Sequence, residues 1–101
     1  MERLTLALPK GRLLPEALEL LGRAGLDATA LRDGRRLIHE DDSGTVRYLL
    51  LRPSDVPTYV QHGAADLGVV GKDSLLESDA EVYEVLDLRF GRCRFVVAGP
   101  R

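Results

Sequence analysis

The stretch from Leu49 to Asp73, LLLRPSDVPTYVQHGAADLGVVGKD, constrains the fold more than any other part of the chain. Leu49 to Leu51 reads as the apolar end of a strand, and Pro53-Ser54-Asp55 as the start of a helix. Ser54 suits an N-cap, Asp55 suits the positive helix end, and Pro57 falls where a backbone N–H has no intrahelical partner. Val56, Tyr59 and Val60 form the expected inward stripe, and Gly63 stops the helix. Asp66 to Val70 is a second apolar strand, after which Gly71-Lys72-Asp73 turns into a short helix, Ser74 to Glu77, with Asp73 as its expected cap. This order of elements predicts an α/β layer architecture. It places Arg52, Ser54, Asp55, Gly71, Lys72 and Asp73 in the two loops that leave the strands, where a ligand is expected.

The flanking segments extend the same pattern. Leu4 to Leu8 reads as a buried strand that ends at Pro9, because proline cannot donate to a continuing ladder. Lys10-Gly11-Arg12 is a tight turn, and Leu14, Ala17, Leu18 and Leu21 then recur at the spacing of an amphipathic helix. Pro15 is tolerated in the first turn of that helix, and Gly22 or Gly25 closes it. Asp27 to Arg36 has no clean period and reads as an exposed loop. Leu37 to Glu40 and Thr45 to Leu51 form an expected hairpin around Asp41-Asp42-Ser43-Gly44. Val82 to Leu86 and Arg92 to Ala98 are two further strands, the latter with Arg92 and Arg94 on one face and Cys93 and Phe95 on the other. The fold class expected is therefore α/β, a mixed sheet with flanking helices.

Composition narrows the function classes. A chain of 101 residues holds one domain at most, and 45% hydrophobic with 30% charged residues is an ordinary globular composition. No apolar run approaches the roughly 18 residues of a membrane span, and Met1 to Leu6 enters a strand pattern without a secretory signal. The expected location is the cytoplasm. The single cysteine, Cys93, forms no internal disulfide. A net charge of −2 and a pI near 5.6 argue against generic attraction to nucleic acid or to an anionic membrane. Local clusters must carry any anion binding.

Three such clusters stand in turns: Pro9 to Arg12, Arg52 to Asp55, and Gly71 to Asp73. Each follows a strand and starts a helix, so parallel strands would open all three at one sheet edge, with free N–H groups facing an anion. A helix end contributes only about 0.3–1 kcal/mol per charge. Lys10, Arg12, Arg52 and Lys72 would have to supply most of the attraction. Each residue also has a plainer reading. Lys10-Gly11-Arg12 lacks the glycines of a phosphate-cradling loop and can be a solvated turn. Arg52 can pair with Asp55, Asp73 can simply cap its helix, and Asp66 is expected to fix a strand start. His39, His62 and Cys93 lack metal-ligand spacing, and Cys93 is expected as a small core residue. Tyr59 and Tyr83 could stack on a base, although Tyr59 is expected in the core. Arg89, Arg92 and Arg94 fit either a solvated strand face or a phosphate-facing wall, and spacing does not choose.

Three motifs together resemble a known family. Leu6-Ala7-Leu8-Pro9-Lys10-Gly11-Arg12-Leu13, Leu51-Arg52-Pro53-Ser54-Asp55-Val56-Pro57-Thr58-Tyr59-Val60 and Gly63-Ala64-Ala65-Asp66-Leu67-Gly68-Val69-Val70-Gly71-Lys72-Asp73 resemble, in order and spacing, the ATP phosphoribosyltransferases. The resemblance extends over essentially the whole chain. It implies a lobe like the type II periplasmic binding proteins, with residues 1–88 as the first lobe and 89–101 as the crossover into a second. It also implies transfer of phosphoribosyl from phosphoribosyl pyrophosphate to N1 of ATP with release of pyrophosphate, the first step of histidine biosynthesis. Magnesium would enter through the substrate phosphates. Lys10, Gly11, Arg12, Arg52, Asp55, Gly71, Lys72 and Asp73 would line the nucleotide side of the cleft. No residue is assigned as catalytic or as a metal ligand. A homo-oligomer is expected, and the short N-terminus resembles the short form that works with a regulatory subunit similar to histidyl-tRNA synthetase.

The resemblance also implies an incomplete lobe pair. Family members run to about twice this length, and the acidic, Gly- and Thr-rich phosphoribosyl-pyrophosphate loop is not among these residues. The chain alone is expected to be inactive. Two other readings fit the same residues: a non-catalytic small-molecule-binding lobe of the same broad fold, and an α/β interaction module that pairs through an open strand edge.

Overall fold

The strand Leu4–Pro9 (β1) lies inside the sheet because both of its edges are paired, to Val46–Leu51 (β3) and to Leu67–Gly71 (β4), each in parallel. The computed structural model describes residues 3–90 and 93–100, with 85–90 and 93–94 given by backbone alone. The remaining elements are α1 (Leu14–Arg23), β2 (Ile38–Glu40), α2 (Val56–Gln61), α3 (Lys72–Glu77), β5 (Val82–Phe90) and β6 (Cys93–Pro100), with 3-10 turns at Thr29–Leu31 and Pro53–Asp55. The strand order is β2-β3-β1-β4-β6-β5. β2 runs antiparallel to β3, β6 antiparallel to β4, and β5 antiparallel to β6, so the sheet is mixed, as expected.

The period-2 alternation of the inner strands divides the core into two layers. Leu6, Leu8, Tyr48, Leu50, Val69 and Phe95 face the layer that holds Leu14, Ala17, Leu18 and Leu21 of α1. Ala7, Val70 and Val96 face the other layer, with Val56 and Val60 of α2 and with Ala65. β1 is covered on both sides, which explains its apolar run from Leu6 to Leu8.

Local chemistry fixes the helix ends. α1 finishes with the Leu26 N–H donating to the Leu21 carbonyl at 2.8 Å and the Gly25 N–H to the Gly22 carbonyl at 3.1 Å. Gly25 takes the positive φ of 86° that this paired closure requires. None of α1, α2 and α3 has a side-chain cap. The expected caps are corrected accordingly. Arg52 precedes the Pro53–Asp55 turn, which puts Ser54 inside it, and Gly71 occupies the N-cap position of α3 with Asp73 already in the first helical turn. A residue inside the turn lies past the position from which a cap acts. α3 therefore starts at Lys72, two residues before the expected Ser74.

Two burial expectations are also corrected. Tyr59 is 39% exposed, because Pro57 joins Val56 and Val60 on the inward stripe and leaves Tyr59 at its flank. The Asp27–Arg36 segment is not wholly exposed, since the 3-10 turn folds Ala28 and Leu31 under α1 into the core. The strand pattern holds in its essentials: β5 runs on to Phe90 and β6 to Pro100. The expected facing of Arg92, Cys93 and Arg94 lies outside the described residues and side chains. No helix among the described residues is long and apolar enough to cross a membrane.

In the second layer α2 packs directly over Gly68. A Cβ there would come within 2.6 Å of Val56 Cγ1 and 2.9 Å of Val60 Cγ2, both on short, stiff side chains. Gly68→Ala should destabilise the protein by about 1–3 kcal/mol through overpacking. Gly71→Ala, whose Cβ would meet Leu13 at an ordinary 3.8 Å, should stay within about 0.5 kcal/mol of the parent in urea unfolding.

The hairpin between β2 and β3 is organised by Asp41. Partial burial acts to raise its pKa, but N–H donors from Val46 and Thr45 and the hydroxyls of Ser43 and Thr45 outweigh it, and the carboxyl titrates below its ordinary 3.8. A carboxylate with a depressed native pKa adds stability above its unfolded pKa and loses it as pH falls through the native value. NMR titration should place the Asp41 midpoint below 3.8, and the hairpin contribution should be intact at pH 5 and decline only below about pH 4.

Candidate functional site: a cationic edge at the ends of three parallel strands

Because β1, β3 and β4 run parallel, the turns after Pro9, Leu51 and Gly71 open at one sheet edge. The Lys10 N–H donates to the Leu51 carbonyl at 2.7 Å, so the β1–β3 ladder continues into the first turn. Gly11, at φ 93°, then reverses the chain, and its carbonyl accepts the Leu14 N–H at 3.1 Å as α1 begins. This conformation is strained for any residue with a side chain. Lys10 and Arg12 are exposed, and neither makes an ion pair among the described residues.

The second turn holds Arg52 and Asp55. The Asp55 N–H closes the turn on the Arg52 carbonyl at 2.8 Å, and Arg52 Nε donates to Asp55 Oδ2 at 3.1 Å. The arginine side chain remains 73% exposed. Nε is the inner nitrogen, so the pair leaves the two terminal nitrogens for another acceptor.

The three turns adjoin. Gly71 lies within contact range of Leu13 from the first turn, and α3 lies beside the Pro53–Asp55 turn. Asp73 is exposed on the first turn of α3. Lys72 behaves differently from the other cations. Its ammonium pairs with Glu84 on β5, with the lysine side chain 23% and the glutamate side chain 35% exposed. Glu84 stands level with Ala98, which stands level with Gly68, three residues back along β4 from Gly71. The pair therefore draws Lys72 across the sheet and away from the edge. Lys10, Arg12, Arg52, Asp55, Gly71 and Asp73 share the edge, whereas the Lys72 charge is committed elsewhere.

Such an edge suits a phosphate-bearing ligand. Lys10, Arg12 and Arg52 place three cations there beside the carboxylates of Asp55 and Asp73, and the positive dipole end of the ten-residue α1 adds to them, although Pro15 carries no N–H and the Leu14 N–H already donates to Gly11. Sequence reasoning missed Glu84, whose pairing with Lys72 has no local signal. It also missed Leu13, whose side chain comes near the backbone of Gly71.

A family model described as ATP phosphoribosyltransferase (HisG) matches residues 52–101. An ATP phosphoribosyltransferase of Caldanaerobacter subterraneus subsp. tengcongensis is 54% identical over 99% of this chain and 48% of its own length. One from Sorangium cellulosum is 56% identical over 96% of this chain and 46% of its own. The chain belongs to the ATP phosphoribosyltransferase family. It spans about half the length of the curated relatives it matches. Among solved structures, the ATP phosphoribosyl transferase HisG:HisZ complex of Thermotoga maritima superposes with a TM-score of 0.66 at 32% identity, covering 87% of this chain and 41% of that one.

Asp66, inside the third family-like motif, lies at the other end of β4. Its Oδ2 accepts the Thr5 N–H at 2.7 Å, and its own N–H donates to the Thr5 carbonyl at 2.8 Å. The residue fixes the β1–β4 register, as its place before a strand suggested. Asp66→Ala should cost about 1 kcal/mol of stability in urea unfolding and leave nucleotide affinity unchanged.

Proposed function

We propose that the protein to which this chain belongs is an ATP phosphoribosyltransferase that transfers phosphoribosyl from phosphoribosyl pyrophosphate to N1 of ATP with release of pyrophosphate. The observation that carries this reading is the adjoining of three family-like turns at one edge, with Lys10, Arg12 and Arg52 exposed there. The substitution at the sugar carbon passes through an oxocarbenium-like centre with a departing pyrophosphate. Positioned cations serve it better than a strong nucleophile.

In this reading Lys10, Arg12 and Arg52 face substrate phosphates, with the terminal nitrogens of Arg52 suited to a two-oxygen contact. Gly11 and Gly71 let the backbone approach the ligand closely, and Asp55 orients Arg52. Asp73 accepts hydrogen bonds from the nucleotide or its new ribose. Lys72 acts only if Glu84 releases it. Magnesium, carried by the substrate phosphates, would neutralise charge on the leaving pyrophosphate. The edge fits that arrangement, because its side chains are mainly cations that meet phosphate oxygens, and of its carboxylates Asp55 is paired with Arg52.

The edge is one wall of a cleft. Its lobe comprises the whole six-stranded sheet, with β6 paired to β4 and Phe95, Val96 and Ala98 buried in the core, and a second lobe supplies the opposite wall, so turnover requires the rest of the protein. The whole protein is a cytoplasmic homo-oligomer of the short form. The solved relative from Thermotoga maritima is a HisG:HisZ complex, which supports a regulatory partner of that kind.

Thermal unfolding with ATP, AMP or phosphoribosyl-ATP tests the site. A ligand at a hundred times its Kd stabilises by about 2.7 kcal/mol. Nucleotides should raise Tm, and Arg52→Ala or Asp73→Ala should abolish most of the rise without lowering the ligand-free Tm. Indifference to nucleotides with a response to amino acids or organic anions would instead indicate a non-catalytic binding lobe.

A further inference from the structure

The end of the sheet opposite the cationic edge holds a concavity of about 370 Å³. It opens between the segment that follows α1 and the turn joining β2 to β3, both at the far ends of their elements. Its charged lining is Asp27, Asp41 and Asp42, with His39 as the one further titratable side chain besides Tyr48, and it includes no lysine or arginine.

Tyr48 distinguishes this concavity from a mere acidic cluster. The residue lines it, is 0% exposed, and its hydroxyl has no hydrogen-bond partner among the described residues. His39 stacks on its ring at 6.0 Å between centroids and 17° between planes, which holds the phenol in place. Burial, then the charges of Asp41 and Asp27, push the phenol above its usual pKa, so it stands as a neutral hydroxyl near both carboxylates. A buried hydroxyl without a partner is unfavourable for the empty fold. It becomes favourable when a ligand donates to it.

The carboxylates leave room for such a ligand. Asp27 spends Oδ1 on the Thr29 N–H at 3.0 Å and the Thr29 hydroxyl at 2.7 Å, and its Oδ2 has no partner among the described residues. Hydrogen bonds from Thr29 also hold Asp27 below the ordinary carboxylate range, so it keeps its charge. Among the described residues no three His, Cys, Asp or Glu side chains are grouped to hold a metal ion. The demand is for a cation with several N–H donors.

We propose that this concavity binds a small organic ammonium or guanidinium compound, its N–H groups donating to Asp27 Oδ2 and to the Tyr48 hydroxyl, with Asp41 and Asp42 supplying further negative charge. The site is independent of the cationic edge and of the reaction proposed there.

Calorimetric titration of the natural full-length protein with agmatine tests it, with tetramethylammonium as a cation that has no N–H. Agmatine should bind saturably and tetramethylammonium should not. Tyr48→Phe and Asp27→Asn should each weaken agmatine by about tenfold or more, the usual loss for one hydrogen bond to a charged group. Tyr48→Phe removes an unpaired hydroxyl, so its ligand-free Tm should equal or exceed the parent value, and Asp27→Asn keeps the oxygen that receives Thr29. Absence of saturable agmatine binding, equal binding of tetramethylammonium, or unchanged affinity in Tyr48→Phe would each overturn the proposal.

Discussion

The parallel pairing of β1 with both β3 and β4 is the constraint on which the rest of the molecule depends. Parallel neighbours bring their C-terminal ends together, and here those ends are Pro9, Leu51 and Gly71. An antiparallel β1 would carry Lys10 and Arg12 to the opposite edge and leave Arg52 without cationic neighbours. The pairing in turn depends on burial of both faces of β1, which the two layers of helices provide. Gly68 matters at this level because the approach of Val56 and Val60 to it sets how closely α2 rides on β4. That distance also sets how closely the Pro53–Asp55 turn stands to Gly71.

The same topology separates charge. One edge carries Lys10, Arg12 and Arg52 with Asp55 and Asp73, and the far end of the sheet carries Asp27, Asp41 and Asp42, where Arg3 is paired with Glu40 and bonded to the Gly44 carbonyl. α1 spans the two, with its N-terminus at the cationic edge and Gly25 to Asp27 beyond its C-terminus. Its dipole favours anions at the first edge and cations at the second. A net charge of −2 conceals this polarity. Composition spoke against general affinity for polyanions, but local charge, set by topology, decides what each edge can bind.

Much of this was legible in the sequence, for reasons that can be named. Apolar runs such as Leu6 to Leu8 mark strands buried on both sides, and Gly25 marks a helix end whose closure needs a positive φ. The motifs around Lys10, Arg52 and Gly71 identified the edge because each joins a strand to a helix. What escaped depended on contacts distant in sequence. Lys72 looked equivalent to Lys10 until Glu84, twelve positions on, proved to hold it. Tyr59 was misplaced because Pro57 took the inward position on a helix only six residues long. Ser54 and Asp73 have cap chemistry but lie inside their turns, a matter of one or two residues that propensity cannot resolve. Tyr48 was read only as part of an apolar strand, although a hydroxyl at the centre of such a strand is itself a signal.

The Arg52–Asp55 pair shows how an exposed ion pair can matter without adding much stability. At 73% exposure for the arginine, solvent screening holds such a pair to about 0–1 kcal/mol. Its effect is conformational. Asp55 is fixed by the turn its own N–H closes, and it holds Nε of Arg52, which restricts a side chain that otherwise samples many rotamers. The terminal nitrogens then project from a defined base. An anion that meets a restrained guanidinium has less ordering entropy to overcome than one that must immobilise a free side chain. Lys10 and Arg12 have no such tether among the described residues, so of the three edge cations Arg52 is the one prepared for a directional, two-oxygen contact.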